Sequence, residues 1–328
     1  MGNSNWSDAA YAARQTHRQQ TNRSAFAYDD HVRATGVVTV HEQMNPFGKT
    51  RESRDSIDHP NSLAIGVVFD VTGSMGEVPR VLQTKLGALM RVLVQKGYVE
   101  HPQILFGAVG DAYSDTVPLQ IGQFESGLEM DDELGKIYIE GGGGQVHESY
   151  ELAAYFFAHH TTIDCYDRRG KKGYLFTIGD EKPYGVVHQQ HVKTIIGDRL
   201  AYDLPTERVI AEVQQRYEYF HIVPTDTAHG GDAAVQAAWR KLLGERVLLL
   251  DDAAAVCETI ALAIGLCEGT IDDLASGAAD LVSAGYDRGS TGAAASALTR
   301  YAAGRPPAAR LGRGLLPATT FAGDDGRL

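Results

Sequence analysis

One stretch of the chain limits the possible folds more than any other: a continuous apolar run from Leu63 to Phe69, rich in valine and isoleucine. A strand without polar alternation is typical of parallel sheets that are buried on both faces. Helical and strand patterns then alternate as far as about residue 267. This alternation predicts an α/β fold with a doubly wound, mostly parallel sheet that is flanked by helices.

The hydrophobic pattern also divides the chain into three parts: a polar N-terminal arm over 1–60, a domain over 61–268, and a C-terminal helix with a flexible tail over 269–328. A short apolar run at 36–40 is expected to add a strand, and the charged segment 49–55 is expected to be a solvated linker. We expect strands over 63–69, 104–109, 174–178, 219–223 and 247–250, and helices over 78–97, 131–139, 148–159, 207–216, 233–243, 253–267 and 271–284.

Composition excludes several classes of protein. The formal net charge is −12, with 42 acidic against 30 basic residues, so nucleic acid is not an expected partner. No run approaches the roughly 18 apolar residues of a membrane span, and the first residues do not form a signal peptide. The three cysteines, Cys165, Cys257 and Cys267, have no CxxC spacing. These features together predict a reduced, cytoplasmic protein.

The residues after the apolar run carry the strongest chemical signal. The run ends in Asp70, and Thr72 and Ser74 follow at alternate positions. In open α/β sheets ligands bind beyond the carboxyl ends of the strands, where this turn lies. One carboxylate and two hydroxyl groups are hard oxygen ligands, which suit Mg²⁺ or Mn²⁺ with water completing the shell. The sequence therefore predicts a divalent-cation site.

The segment Asp70-Val71-Thr72-Gly73-Ser74-Met75 resembles the DxSxS element of the metal-ion-dependent adhesion site in von Willebrand factor A (VWA) domains, with threonine in place of the first serine. The resemblance extends over roughly residues 60–267. It implies that Asp180, which follows the strand predicted at 174–178, is a further metal ligand. Because the chain looks most like intracellular bacterial members of the family, the resemblance implies a cytoplasmic adaptor or assembly factor. Such a protein binds a partner carboxylate through its metal, and some members work beside AAA-type ATPases.

The second loop departs from the family pattern. A threonine is expected there, but the chain has Glu148 and Ser149 after a run of four glycines. Either Glu148 or Ser149 completes the metal shell, or this ligand is absent and Glu148 caps the following helix, where an acid is favoured. We favour the capping alternative. Asp111 lies at the same edge of the sheet, where it either orients a metal-bound water or is a solvated loop residue.

The main alternative function is a Mg²⁺-dependent phosphohydrolase of the haloacid dehalogenase type. Enzymes of that type need a second aspartate two residues after the first, and this chain has Thr72 there, so it lacks a general acid. A nucleotide-binding switch is also disfavoured, because the glycines at 141–144 are not followed by the GK[ST] motif. We therefore expect a binding module rather than an enzyme.

Overall fold

The computed structural model describes residues 5–75, 78–142 and 147–305. The strands are β1 (Arg51–Ser53), β2 (Ser62–Asp70), β3 (His101–Val109), β4 (Leu119–Ile121), β5 (His147–Glu148), β6 (Thr161–Ile163), β7 (Gly173–Ile178), β8 (Lys182–Pro183), β9 (Val186–Val187), β10 (Leu204–Pro205), β11 (Tyr217–Pro224) and β12 (Val247–Leu250). The helices are α1 (Asp8–Thr21), α2 (Ala27–Thr35), α3 (Val78–Gln95), α4 (Glu129–Leu134), α5 (Tyr150–His159), α6 (Asp164–Asp167), α7 (Gln189–His191), α8 (Thr206–Arg216), α9 (Ala233–Leu243), α10 (Val256–Glu268), α11 (Leu274–Ser283) and α12 (Arg288–Ala303).

A six-stranded sheet forms the centre of the molecule, in the order β12-β11-β7-β2-β3-β4. Its first five strands are parallel, and the edge strand β4 runs antiparallel to β3. Every residue of β2 is buried, as expected for a strand covered on both faces. The mixed α/β class and the mostly parallel sheet with flanking helices therefore agree with the sequence prediction. Within the described residues, no helix has both the length and the apolar character needed to cross a bilayer.

The N-terminal arm has more structure than the sequence analysis predicts. It forms α1, α2 and β1, and β1 pairs in parallel with β6 rather than forming a solvated linker. The apolar run at 36–40 is not a strand. The side chain of Tyr11 is buried, and its hydroxyl donates to the main-chain oxygen of Gln83 on α3. Because few residues of α1 are apolar, its helical periodicity is too weak to be read from the sequence.

The C-terminal part also differs from the expectation of a flexible tail. Residues 288–303 form α12, which packs against α10 and α11 and buries Ala294 and Leu298. The helix begins after Asp287, whose carboxylate accepts hydrogen bonds from the main-chain nitrogens of Gly289 and Ser290. The alanines of α12 favour a helix. In the sequence, however, a segment built from so few residue types resembles an unstructured one. The rest of the predicted tail, 306–328, lies outside the described residues.

Candidate metal centre

The order of the strands creates a crevice where the predicted ligands lie. From β2 the chain first builds β3 and β4 on one side, and it later returns to build β7 on the other side of β2. Such a reversal separates the loops that leave the two neighbouring strands, and it is the usual ligand position in open α/β sheets. Asp70 ends β2, and Asp180 follows the end of β7 by two residues.

Asp70 is completely buried, and hydrogen bonds hold both oxygens of its carboxylate. The main-chain nitrogen of Thr72 donates to Oδ1 at 2.6 Å, and the Tyr150 hydroxyl donates to Oδ2 at 3.3 Å. Burial raises the pKa of Asp70 to about 7, and the nearby charge of Asp180 adds to this rise. Ser74 lies in a 3₁₀ turn over Gly73–Met75, but its side chain is outside the described residues.

The beginning of the glycine-rich loop is joined to the predicted metal loop by two main-chain hydrogen bonds. The nitrogen of Gly141 donates to the oxygen of Val71 at 3.1 Å, and the nitrogen of Gly73 donates to the oxygen of Gly142 at 2.9 Å. The loop therefore lies directly against the turn that carries Thr72. Its continuation over 143–146 is outside the described residues.

Glu148 lies among the carboxylates and does not cap α5. It belongs to β5, which pairs in parallel with β8 just after Glu181. Burial and, as the second cause, the charge of Asp70 raise the pKa of Glu148 to about 11 and that of Glu181 to about 8. Ser149 precedes α5 without capping it, because its Oγ accepts a hydrogen bond from the nitrogen of Ala112. The capping role that we favoured for Glu148 is therefore not what the structure shows.

We use the term carboxylate cluster for Asp70, Glu148, Asp180 and Glu181, which are all 0–2% exposed. Asp180 accepts a hydrogen bond from the main-chain nitrogen of His229 at 2.9 Å. The Oε2 atoms of Glu148 and Glu181 have no hydrogen-bond partner within the described part of the chain. Buried carboxylate oxygens without partners are costly and need a compensating ligand or proton.

The described residues supply no cationic side chain that pairs with Asp70, Glu148 or Glu181 within 4.0 Å. They also contain no group of three or more His, Cys, Asp or Glu side chains that could hold a metal ion.

Asp111 lies at the rim of this centre and is already well hydrogen-bonded. It is 3% exposed and accepts hydrogen bonds from the nitrogen of Tyr113 and from the hydroxyls of Ser114 and Tyr184, each at 3.0 Å. Its charge contributes to the raised pKa of Glu181, so Asp111 is close to the carboxylate cluster. Asp111 is therefore not a solvated loop residue, and its role in orienting a metal-bound water stays a prediction.

Partly exposed rings surround Asp111. Tyr113, which is 52% exposed, packs against Tyr184 and His191 with ring centroids 4.7 Å apart in each pair. His147 stacks on Tyr184 at 5.2 Å, and His188 pairs with Asp203 at 2.9 Å. The carboxylate cluster therefore has an aromatic rim on one side.

Sequence reasoning missed three residues at this centre: Tyr150, Glu151 and Glu181. Glu181 directly follows Asp180 in the sequence, so the doubled acid was an available signal. Glu151 is buried, its Oε2 has no hydrogen-bond partner in the described part, and burial raises its pKa well above the ordinary value. Nothing in the sequence marks Tyr150, because its contact with Asp70 spans 80 positions.

No protein-family model matches the chain, and no curated protein matches it. The pilus adhesin SpaC from Lactobacillus rhamnosus GG, in its open conformation, has a TM-score of 0.44 at 11% identity over 69% of this chain and 32% of that chain. Proximal thread matrix protein 1 from the mussel byssus has a TM-score of 0.39 at 8% identity over 69% of this chain and 51% of that chain. This chain spans less than two thirds of either structure.

Proposed function

We propose that this protein is a VWA-type binding module that holds Mg²⁺, or Mn²⁺, at the carboxyl edge of its sheet. One observation carries the proposal: at the reversal point of the strand order, Asp70 and Thr72 lie beside buried carboxylates with oxygens that have no partner in the described part. A divalent cation would satisfy these oxygens and offset their mutual repulsion. The donor set of carboxylates and hydroxyls fits this ion rather than zinc.

The residues that would hold the ion are Asp70, Thr72 and Ser74, with Asp180 and Glu148 completing or adjoining its shell. A bound cation would supply a Lewis-acidic centre with an exchangeable water position, which a carboxylate of a partner protein can occupy. The aromatic rim around Tyr113 would then contact neighbouring residues of that partner. We place the protein among cytoplasmic adaptors, with an AAA-type ATPase system as the proposed setting. These last points rest on the resemblance to the family.

The metal site is tested by titrating Mg²⁺ and Mn²⁺ into the EDTA-treated full chain in a calorimeter. We expect saturable binding to the wild type and none to Asp70→Ala, because Asp70 supplies the only carboxylate of the segment 70–76. Asp251→Ala is the matched control. Asp251 also follows a strand of this sheet, but it is exposed and bonds to Thr225 at 2.8 Å. Equal affinity in the wild type and Asp70→Ala would refute the assignment.

The binding role is tested by capturing partners on the immobilised protein with Mg²⁺ and again with EDTA. We expect a protein that is retained only with Mg²⁺, that is lost from Asp70→Ala, and that dissociates when free glutamate competes at high concentration. Retention that is unaffected by both EDTA and the Asp70→Ala substitution would show that partners bind elsewhere. Hydrolysis of a phosphate ester that disappears in Asp70→Ala would instead favour an enzyme.

A further inference from the structure

Tyr150 connects the predicted metal loop to the rest of the core. It is the first residue of α5, and its side chain is buried. Its hydroxyl is 3.3 Å from Oδ2 of Asp70, on the opposite side of the carboxylate from the Thr72 nitrogen. A phenol hydroxyl that faces a carboxylate oxygen is the donor of the pair.

The lack of a side chain at a neighbouring glycine, Gly179, leaves room for this hydroxyl beside Asp70. If Gly179 carried a Cβ, that atom would lie 1.8 Å from the Tyr150 hydroxyl oxygen and 3.1 Å from the Cβ of Asp70. The first distance is far below any van der Waals contact, so a side chain at position 179 would push the hydroxyl away. Gly179 directly precedes Asp180. The two acidic loops are thus brought together around the Tyr150 hydroxyl.

Two further rings fix the orientation of Tyr150. Its ring packs edge-on against His221 at 5.4 Å and against Trp239 at 5.2 Å. His221 stacks on Trp239 with 3.5 Å between ring centroids. Trp239 in turn donates from Nε1 to the main-chain oxygen of Glu181 at 2.8 Å. One assembly of three buried rings therefore contacts the loop of Asp70 through a hydroxyl and the loop of Asp180 and Glu181 through an indole.

We propose that Tyr150 is a positioning residue for the metal: its hydroxyl fixes the rotation of the Asp70 carboxylate, and Gly179 is required so that the hydroxyl can reach it. The inference rests on the proposed metal-binding function. With Oδ1 held by Thr72 and Oδ2 by Tyr150, the lone pairs that remain on Asp70 point in defined directions. Groups that orient a ligand in this way affect metal affinity although they do not touch the metal.

The test compares Tyr150→Phe with Tyr217→Phe in the full chain. Tyr217 is an equally buried tyrosine of β11, and its hydroxyl bonds to Thr161 at 2.8 Å. It lies at the start of its strand, at the opposite edge of the sheet from Asp70. We expect Tyr150→Phe to weaken Mn²⁺ and Mg²⁺ binding by about tenfold or more, and Tyr217→Phe to leave it unchanged. We also expect Gly179→Ala to reproduce the loss of affinity.

Two further measurements separate positioning from a general loss of structure. The thermal midpoint of Tyr150→Phe in EDTA should stay close to that of Tyr217→Phe, and the electron paramagnetic resonance spectrum of bound Mn²⁺ at saturation should differ from that of the wild type. Equal affinity in the wild type and Tyr150→Phe would overturn the role of Tyr150 and leave the metal site standing. An equal loss in Tyr217→Phe would also overturn it. Absence of metal binding by the wild type would overturn both proposals.

Discussion

At the scale of single residues, the protonation state of Glu148 decides how the proposed metal site would behave. In place of the neutral threonine of the family pattern, the chain places a buried acid whose pKa is raised to about 11. A ligand that must lose this proton makes cation binding release a proton as well. A metal surrounded by Asp70, Asp180 and an ionised Glu148 would attract a partner carboxylate weakly, whereas a protonated Glu148 would leave the metal more electrophilic.

The substitution Glu148→Gln distinguishes these states. Because glutamine resembles the protonated acid, we expect the thermal midpoint in EDTA to change little. If Glu148 ionises to bind the metal, as its place in the carboxylate cluster favours, Mg²⁺ affinity should fall tenfold or more, which is about 1.4 kcal/mol. Calorimetric titration measures this, with Glu207→Gln on the exposed face of α8 as the control. Unchanged affinity would mean that Glu148 stays protonated and the site stays open to an acidic partner.

The raised pKa values of Asp70 and Glu181 predict how stability without metal depends on pH. Their ordinary values are 3.8 and 4.5, and in the fold they rise to about 7 and about 8. At a pH between the ordinary pKa values and the raised ones, the folded protein holds protons that the unfolded chain has released. The free energy of unfolding therefore falls as the pH rises through this range. We expect the urea midpoint in EDTA to be lower at pH 8 than at pH 5.

Two comparisons isolate the groups responsible for that pH dependence. Saturating Mg²⁺ should raise the urea midpoint more at pH 8 than at pH 5, because the cation replaces protons that are already lost at the higher pH. The double variant Asp70→Asn, Glu181→Gln should show a smaller fall in EDTA than the wild type. A wild-type midpoint in EDTA that rises from pH 5 to pH 8 would contradict the prediction.

At the scale of elements, the long apolar strands were predictable and the short ones were not. The run at 63–69 indicated β2, and the predicted strand 247–250 coincides with β12. The strands β5 and β8 have two residues each, which is too short to show a periodicity in the sequence. They pair with each other across 35 positions, with His147 opposite Lys182. That pairing carries Glu148 into the carboxylate cluster. The turn after β2 was therefore predictable, whereas the position of the second loop depended on a tertiary contact.

A partly buried ion pair joins α3 to α10, and a hydrogen bond from α12 to the same glutamate gives a test of how the three helices pack. Lys85 on α3 pairs with the fully buried Glu258 on α10, which also accepts a hydrogen bond from Ser290 on α12. Lys85→Met leaves a buried carboxylate without its cation, so we expect a loss of about 3 kcal/mol in the free energy of unfolding. Lys241→Met is the control.

The control is informative because Lys241 pairs with Glu207 at the surface, where the two side chains are 75% and 61% exposed. An exposed pair of this kind contributes roughly 0–1 kcal/mol. Urea unfolding of both variants measures the difference. Similar losses in Lys85→Met and Lys241→Met would show that the pair between α3 and α10 does not hold the helices together.

At the scale of the whole molecule, the alternation of strands and helices predicted the central sheet, but the composition of the two ends was misleading. The arm docks through contacts that are scattered in sequence: Tyr11 bonds to Gln83, and Arg18 pairs with Asp131. A helix that contributes one buried ring and several ion pairs has little amphipathic pattern. The described parts of both ends, 5–60 and 269–305, contribute to the packed structure, because Tyr11 and Leu298 both belong to the main hydrophobic core.

Hydrogen exchange provides the test of this view of the ends. Because α12 packs against α10 and α11 and buries Ala294 and Leu298, its amides should open only with the core. We expect the middle of α12 to exchange at rates close to those of α10 in EDTA. The segment 37–40 forms no helix or strand and should exchange rapidly, which gives an internal reference for an open chain. If α12 exchanged as fast as 37–40, it would not be packed on the core, and the flexible tail expected from its composition would be correct.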